Sequence, residues 1–140
     1  MDGTLEKLAE CVAGVTMGRV PPEVLHQAKL RLLDYLGCVV GAFGEEPSKA
    51  VRRVAMGSRC GEGGATLLGT KQRCATDVAC FANGMMGRYL DFNDQYSGRT
   101  TGHPSDVIPA ALAASEMAGG GGAALVTGML DGVRAFRAAV

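Results

Sequence analysis

The chain has 140 residues, 14 of them basic and 14 acidic, so its formal net charge is zero. The length allows one domain and is too short for a typical two-domain enzyme, and the balanced charge excludes a nucleic-acid or polybasic membrane patch. With 47% hydrophobic but only 5% aromatic residues, the composition favours helices packed through small side chains, hence an all-α, helical bundle-like domain over residues 1–140.

The start, MDGTLEKLAE, lacks a basic region followed by an apolar run, so it predicts a cytoplasmic protein without a secretory signal. The longest uncharged apolar run, Met117 to Leu130, is too short to span a membrane and contains four consecutive glycines. Five scattered cysteines without a C-x-x-C pair predict reduced thiols in the core or at the surface: Cys11, Cys38, Cys60, Cys74 and Cys80.

Helical spacing begins at Leu5 and continues to Val15, before Pro21-Pro22 ends that element. The strongest predicted helix starts at Pro22 and ends near Gly41 and Gly44. Its apolar face is predicted to contain Val24, Ala28, Leu32, Leu36 and Val40. His26, beside Gln27 and Lys29, is predicted to lie on the surface.

The segment 47–58 predicts a shorter helix with a solvated basic face formed by Lys49, Arg52 and Arg53. Glycines then bracket 65–68, which predicts a short extended connector between helices instead of a sheet. Helical spacing returns over 74–90 and outweighs the turn tendency of the Asn83-Gly84 pair.

After a polar loop, Pro104 is predicted to start the next helix, which ends before GGGG at 119–122. The last helix is predicted from Ala123 onward. It reaches Val140 without a Gly or Pro stop signal, as expected of a chain cut within or just after a helix.

The polar stretch LDFNDQYSGRTTGHPSD, residues 90–106, contains the candidate chemistry. Asp91 and Asp94 would share one side if the preceding helix persisted, and His103 stands before Pro104, which favours an extended backbone at the start of a helix. A carboxylate and an imidazole in one pocket can act as general base and general acid, most naturally to remove a proton next to a carboxylate.

Two other interpretations of these residues stay open on composition and spacing alone. Asp, Asn, Gly and Thr are also what an ordinary loop between helices contains. A metal site formed by Asp91, Asp94 and His103 is a further option, although no fourth ligand is in register.

The segments ANGMMGRYLDFND and GHPSDVIPAALAASE resemble the signature region of the MmgE/PrpD family, which includes 2-methylcitrate dehydratase and cis-aconitate decarboxylase. The earlier segments AKLRLLDYLGCVVGA and GGATLLGT are similar to family segments in the same order. The resemblance implies the helical domain of that family and metal-free, cofactor-free dehydration, isomerisation or decarboxylation of small tricarboxylic or related acids.

By this resemblance, Asp91 and His103 are the catalytic residues, and Gln95 holds a position that lines the site. Arg88, Asp94 and Ser105 are further candidates for substrate binding, together with Gln95. Gln95 stands where many members have a threonine, a departure that bears on substrate identity. Near the C-terminus, Gly132-Val133-Arg134 replaces the common Gly-Tyr-Glu. From the residues themselves, Arg88 and Arg99 are expected to be structural or solvated.

Family members are several times longer, so the resemblance implies that further active-site histidines and lysines and a lid-like domain lie outside this chain. A carbanion next to a carboxylate needs fixed positive charge. One hypothesis is therefore the N-terminal part of a lyase, inactive alone and completed by a dimer partner, a complementary chain or the missing part of the same chain. The other is a non-catalytic truncated helical module that mediates protein association through exposed apolar faces.

Overall fold

The computed structural model describes residues 3, 6, 7, 9, 10, 16–58, 63–97 and 101–139, with side chains as far as residue 135. Over these ranges the chain forms five α-helices and two small antiparallel hairpins, which confirms the predicted, mainly helical fold class. Most of the helix predicted from Leu5 to Val15 lies outside the described residues, as do Cys11 and Cys60.

The helices and strands follow one another as α1 (Pro22–Ala42), α2 (Glu46–Gly57), β1 (Ala65–Thr66), β2 (Arg73–Cys74), α3 (Thr76–Arg88), β3 (Tyr96–Ser97), β4 (Thr101–Gly102), α4 (Ile108–Met117) and α5 (Gly122–Ala139). Short 3₁₀ turns at Met17–Arg19 and Pro104–Val107 precede α1 and α4. Over the described ranges, no helix combines the length and the apolarity that crossing a membrane requires.

Helix α1 begins where Pro22 supplies a preset first-turn conformation, as predicted. The middle of the predicted apolar face is confirmed, since Ala28 is buried and Leu32 and Leu36 pack against the core, but its two ends are exposed. The buried positions are Ala28, Tyr35, Cys38, Val39 and Ala42, whereas Val40 is 70% exposed. A row taken at every fourth residue rotates around a helix, by about 160° over sixteen residues, because one turn takes 3.6 residues. Val24 and Val40 therefore cannot share a face. His26 is exposed, as predicted.

Helix α2 confirms the predicted helix, but the prediction of a fully solvated basic face is wrong for Arg52. Arg52 is only 8% exposed, and its guanidinium carbon lies 3.6 Å from the centroid of the Phe43 ring. One of its nitrogens also donates to the Met86 sulfur at 3.5 Å. Lys49 and Arg53 are exposed because they lie outside the face that packs against α3.

The glycine-bracketed connector contains a hairpin in which Ala65 faces Cys74 and Thr66 faces Arg73. The short extended segment is confirmed, but it pairs with a second strand and does not act as a simple connector. Gly69 takes a left-handed conformation with φ of +76°, and a β-carbon there would collide with the Phe43 ring. The turn therefore requires glycine at this position for both backbone and packing reasons.

The core centres on α3, which packs against α1, α2 and α4. The amide of Asn83 on α3 accepts from the Leu68 N–H and donates to the Thr66 carbonyl, both at 2.9 Å. The Tyr35 hydroxyl donates to the Asn83 carbonyl at 2.8 Å, and burial raises the pKa of Tyr35. Asn83 thus ties α3 to the β1–β2 hairpin and to α1.

Small residues let the last helices approach closely. A β-carbon on Gly128 of α5 would lie 3.4 Å from the Ala111 β-carbon on α4, and one on Gly132 would collide with Val107. On the other side of α4, Glu116 accepts from the Thr66 N–H at 2.5 Å. The helices that follow the polar stretch are therefore fixed to the same core as the helices that precede it.

Cys38 and Cys74 are buried and Cys80 is half-buried, which agrees with the predicted place of these cysteines in or near the core. Cys38 lies on α1 next to the polar stretch. Burial raises the pKa of its thiol, and the carboxylates of Asp34 and Asp94 raise it further.

Candidate active site

Helix α3 ends at Arg88, two residues before the polar stretch, so the helix does not continue to hold Asp91 and Asp94 on one side. Asp91 takes a left-handed conformation with φ of +55°, which Asp tolerates better than most residues, and its N–H donates to the Arg88 carbonyl at 3.0 Å. Its side chain is 82% exposed. The chain turns at Asp91 and sends the following residues into a different environment.

A hairpin of two short antiparallel strands, each two residues long, then reverses the direction of the chain. Strands β3 and β4 pair Tyr96 with Gly102 and Ser97 with Thr101, which places His103 beside Asp94. The Nδ1 atom of His103 lies 2.6 Å from the Asp94 carbonyl oxygen. A carbonyl oxygen only accepts, so this hydrogen bond requires the proton on Nδ1 and leaves Nε2 of the neutral imidazole with a free lone pair.

The Asp94 carboxylate lies beneath this segment, with its side chain only 1% exposed. Its Oδ1 accepts from the Ser105 N–H at 3.0 Å, and the Asn93 side chain donates to the Ser105 hydroxyl at 2.8 Å. An acceptor at this place caps the first turn of the 3₁₀ segment Pro104–Val107, whose amides lack earlier partners. His103 itself is extended, with φ of −117° and ψ of 106°, as predicted for a residue before proline.

His103 borders a cavity of about 440 Å³ between the β3–β4 hairpin, the 3₁₀ turn and α5. The described lining residues are Tyr96, Thr101, Gly102, His103, Pro104, Asp106, Val107, Gly132 and Val133. Such a volume suits a small organic molecule. None of these lining residues is Arg or Lys, so the described wall supplies no permanent positive charge.

Arg88 lies next to two carboxylates and does not border this cavity. Its Nη2 is 3.5 Å from Asp91 and its Nε is 3.5 Å from Asp106, while its Nη1 is buried without a hydrogen-bond partner among the described residues. Arg88, Asn93, Ser105 and Asp106 border a second cavity of about 260 Å³. Asp106 lines both cavities and therefore lies between the cavity beside His103 and the cavity beside Arg88.

The structure thus divides the predicted site residues into three groups. Asp94, His103 and Ser105 are joined through hydrogen bonds, and Asp91 and Arg88 form an ion pair. Gln95 is exposed, and its amide donates to the Ser97 hydroxyl at 3.3 Å. Arg99 lies outside the described residues.

Sequence reasoning assigned no role to several residues of the site. Asn93 and Asp106 belong to the polar stretch, but their spacing did not indicate a role in the site. Gly132 and Val133 come from α5, and they occupy the place where the chain departs from the family pattern. In the described part of the chain, no three side chains among His, Cys, Asp and Glu are grouped as metal ligands.

The family model of the MmgE/PrpD N-terminal domain matches residues 6–135. The chain is 33% identical over 98 residues to the "2-methylcitrate dehydratase-like protein oryR" of Aspergillus oryzae, covering 69% of this chain and 20% of that protein. It is 30% identical over 92 residues to the "Probable 2-methylcitrate dehydratase" of Saccharomyces cerevisiae, covering 66% and 18%.

A third relative is the "Alkylcitrate dehydratase phiI" of a fungal species, 34% identical over 89 residues, covering 62% of this chain and 18% of that protein. The chain therefore spans about a fifth of the length of the curated relatives it matches. With nearly all of its residues inside the family match and its elements in the expected order, the chain belongs to the MmgE/PrpD family as an N-terminal domain.

Proposed function

We propose that this domain contributes His103 and Asp91 to the active site of a metal-independent lyase that acts on small tricarboxylic or related acids. The printed names of the relatives, a 2-methylcitrate dehydratase-like protein, a probable 2-methylcitrate dehydratase and an alkylcitrate dehydratase, support an alkylcitrate such as 2-methylcitrate. The tricarboxylic acid cis-aconitate is a second candidate of similar size. The cavity beside His103, at about 440 Å³, is large enough for such a molecule.

The observation that carries the proposal is the orientation of the His103 ring. Its Nδ1–H is held by the Asp94 carbonyl at 2.6 Å, and the residue borders the cavity. A histidine with one nitrogen fixed by a backbone acceptor presents the other as a base of defined direction. In this role Nε2 takes the proton from the carbon next to a substrate carboxylate.

Elimination of water also requires an acid that gives a proton to the departing hydroxyl group. Asp91 is our proposed second group, and its exposed carboxylate beside Arg88 is open to groups from outside the domain. Arg88 and Gln95 remain the proposed substrate-binding residues, although neither is among the described residues that line the His103 cavity. Asp94 and Ser105 act less directly in this scheme, because their polar atoms already hold the His103 segment.

The proposed chemistry develops negative charge on the substrate carboxylate, and preorganised positive charge is usually the largest catalytic contribution for such a step. The described cavity wall has no Arg or Lys, and Arg88 is already close to two carboxylates. We therefore propose that the cations come from outside the described residues, chiefly from further polypeptide of the same protein or from a partner, and that the domain alone turns over little substrate.

A second candidate function is protein association without catalysis, and one specific observation favours it. Large apolar side chains are exposed on α1 and on and after α3, among them Leu33 at 66%, Val40 at 70%, Phe81 at 67% and Phe92 at 78%. Exposed apolar groups of this size are common at protein interfaces. They fit an association module, and they equally fit a domain that docks on the remainder of an enzyme.

To separate the two candidates, the protein is purified from its source with whatever polypeptide accompanies it, and the loss of 2-methylcitrate and of cis-aconitate is followed. Turnover that falls in the Asp91→Asn variant supports the lyase. If the chain is isolated alone and is inert toward a panel of such acids, the association module is the better account.

A further inference from the structure

The two oxygens of the buried Asp94 carboxylate have different surroundings. Oδ1 accepts from the Ser105 N–H, while Oδ2 has no hydrogen-bond partner among the described residues. Oδ2 forms an ion pair with Arg31 of α1, whose Nε lies 3.8 Å away. Because an unpaired buried carboxylate is costly, the position of Arg31 matters for the conformation of Asp94.

Arg31 also lies against the segment that contains His103. It borders an apolar cavity of about 160 Å³ whose other lining residues include Pro104 and Val133. Pro104 directly follows His103, and both Pro104 and Val133 also line the larger cavity. Arg31 therefore approaches the His103 segment from the side of α1, behind the wall of the proposed active site.

A second carboxylate makes the local charge balance depend on Arg31. Asp34 lies one turn further along α1, and both Asp34 and Asp94 are close enough to Cys38 to raise the pKa of its thiol. Without Arg31, two negative groups would face this part of α1, and the buried Oδ2 would have no described counter-charge. The guanidinium is placed to offset the negative charge of Asp94.

We propose that Arg31 is a positioning residue for His103, acting through Asp94. Arg31 and the Ser105 N–H fix the Asp94 side chain, and this orients the Asp94 carbonyl that accepts the His103 Nδ1–H. The carbonyl selects the tautomer whose Nε2 is unprotonated, which is the form that can act as a base. This inference rests on the proposed role of His103, but its test does not require turnover.

The chain has two histidines, so His26→Gln leaves the His103 imidazole as the single one to be observed. Nitrogen-15 NMR of the purified chain then measures the ratio of the two neutral tautomers at a pH where the ring is uncharged. In the parent we expect the Nδ1–H form to dominate. In Arg31→Ala we expect the fraction of the Nε2–H tautomer to rise about threefold. The effect is modest because the Arg31–Asp94 ion pair is half-exposed on the Arg31 side.

Two further variants test the route through Asp94. Arg31→Lys keeps the charge and is expected to restore most of the parent ratio. Asp94→Asn removes the carboxylate charge, and adding Arg31→Ala to it is expected to change the ratio no further. Lys29→Ala, which removes an exposed cation from the same helix, is the matched control and is expected to leave the ratio unchanged.

An unchanged tautomer ratio in folded Arg31→Ala overturns the proposal, and so does an equal change in Lys29→Ala. If Arg31→Ala does not fold, Arg31→Gln retains part of the side-chain stem and decides the same question. Failure of the lyase proposal is visible separately, because the tautomer ratio can depend on Arg31 in a protein that turns over no acid.

Discussion

Two buried polar side chains of the signature region, Asn83 and Asp94, belong to regions with different tasks. The Asn83 side chain is bonded through both its oxygen and its nitrogen to the backbone of the first hairpin, and it lies among core residues. Asp94 uses one carboxylate oxygen in a hydrogen bond and leaves the other without one among the described residues.

A single motif thus contains both a structural part and a part suited to chemistry. A buried amide whose oxygen and nitrogen are both hydrogen-bonded fixes how the helices and strands pack together, so its removal lowers the free energy of unfolding. A buried carboxylate beneath a histidine that borders a cavity is a more costly arrangement, which fits a site retained for its activity. Substitutions on the two sides should therefore change different measured quantities.

The largest expected effect is on the Asp94 side. In the active preparation, His103→Gln should lower kcat/KM by about 100- to 10,000-fold, the usual contribution of a positioned acid or base. The thermal midpoint should change little, because His103 is only half-buried. His26→Gln on α1 is the control and should leave both quantities unchanged. A His103→Gln enzyme with parental kcat/KM would remove this residue from the chemistry.

On the other side of the comparison, Asn83→Ala should cost about 2–4 kcal/mol of unfolding free energy. The variant leaves the partly buried Leu68 N–H and Thr66 carbonyl without their side-chain partner. Urea denaturation measures the loss. Asn93→Ala is the matched control, since its amide has a single bond to a hydroxyl, and it should cost less. Equal losses would contradict the distinction between the two regions.

Tyr35→Phe should cost about 1 kcal/mol, because it removes one buried hydrogen bond to the Asn83 carbonyl and keeps the ring in the core. The ring fills the space next to Gly87, where a β-carbon would collide with it. Denaturation curves with an unchanged slope and a shifted midpoint are expected. A loss as large as that of Asn83→Ala would mean that the hydroxyl has a second role.

The smallest effect concerns Asp131 on α5, whose pKa is raised by burial although Arg134 lowers it, and whose Oδ1 has no described hydrogen-bond partner. A raised pKa means that the folded state binds this proton more tightly than the unfolded chain, so its contribution to stability is lost as pH rises. Relative to the parent protein, the Asp131→Asn variant should therefore gain more stability at pH 7, where the parent carboxylate is charged, than at pH 4. Thermal unfolding midpoints of the variant and the parent at both pH values test this. A larger gain at pH 4 than at pH 7 would contradict it.

Much of the helical framework is predictable because local signals and burial agree. Pro22 fixes the first turn of α1, and the spacing before Leu90 gives α3 with an error of a few residues. The burial of Arg52 is not predictable from its own helix, because it depends on Phe43 and Met86 from other elements. The predicted apolar face of α1 failed at Val40 because a row taken at every fourth residue rotates around the helix.

Of the candidate site, the sequence identifies the segment and the family but not the contacts. The bond between His103 and Asp94 depends on the register of two-residue strands, which local propensity does not determine. The proximity of Arg31 and of α5 is set by tertiary packing far along the chain. The exposure of Asp91 follows from the left-handed turn that ends the helix.

In the proposed reaction, His103 transfers the proton at the carbon next to the substrate carboxylate. Hydration of the unsaturated acid in D₂O by the active preparation tests it directly, with deuterium at that carbon measured by mass spectrometry. We expect deuterium incorporation that is retained in His26→Gln and lost in His103→Gln in step with turnover. Incorporation at the parental rate in His103→Gln would contradict it.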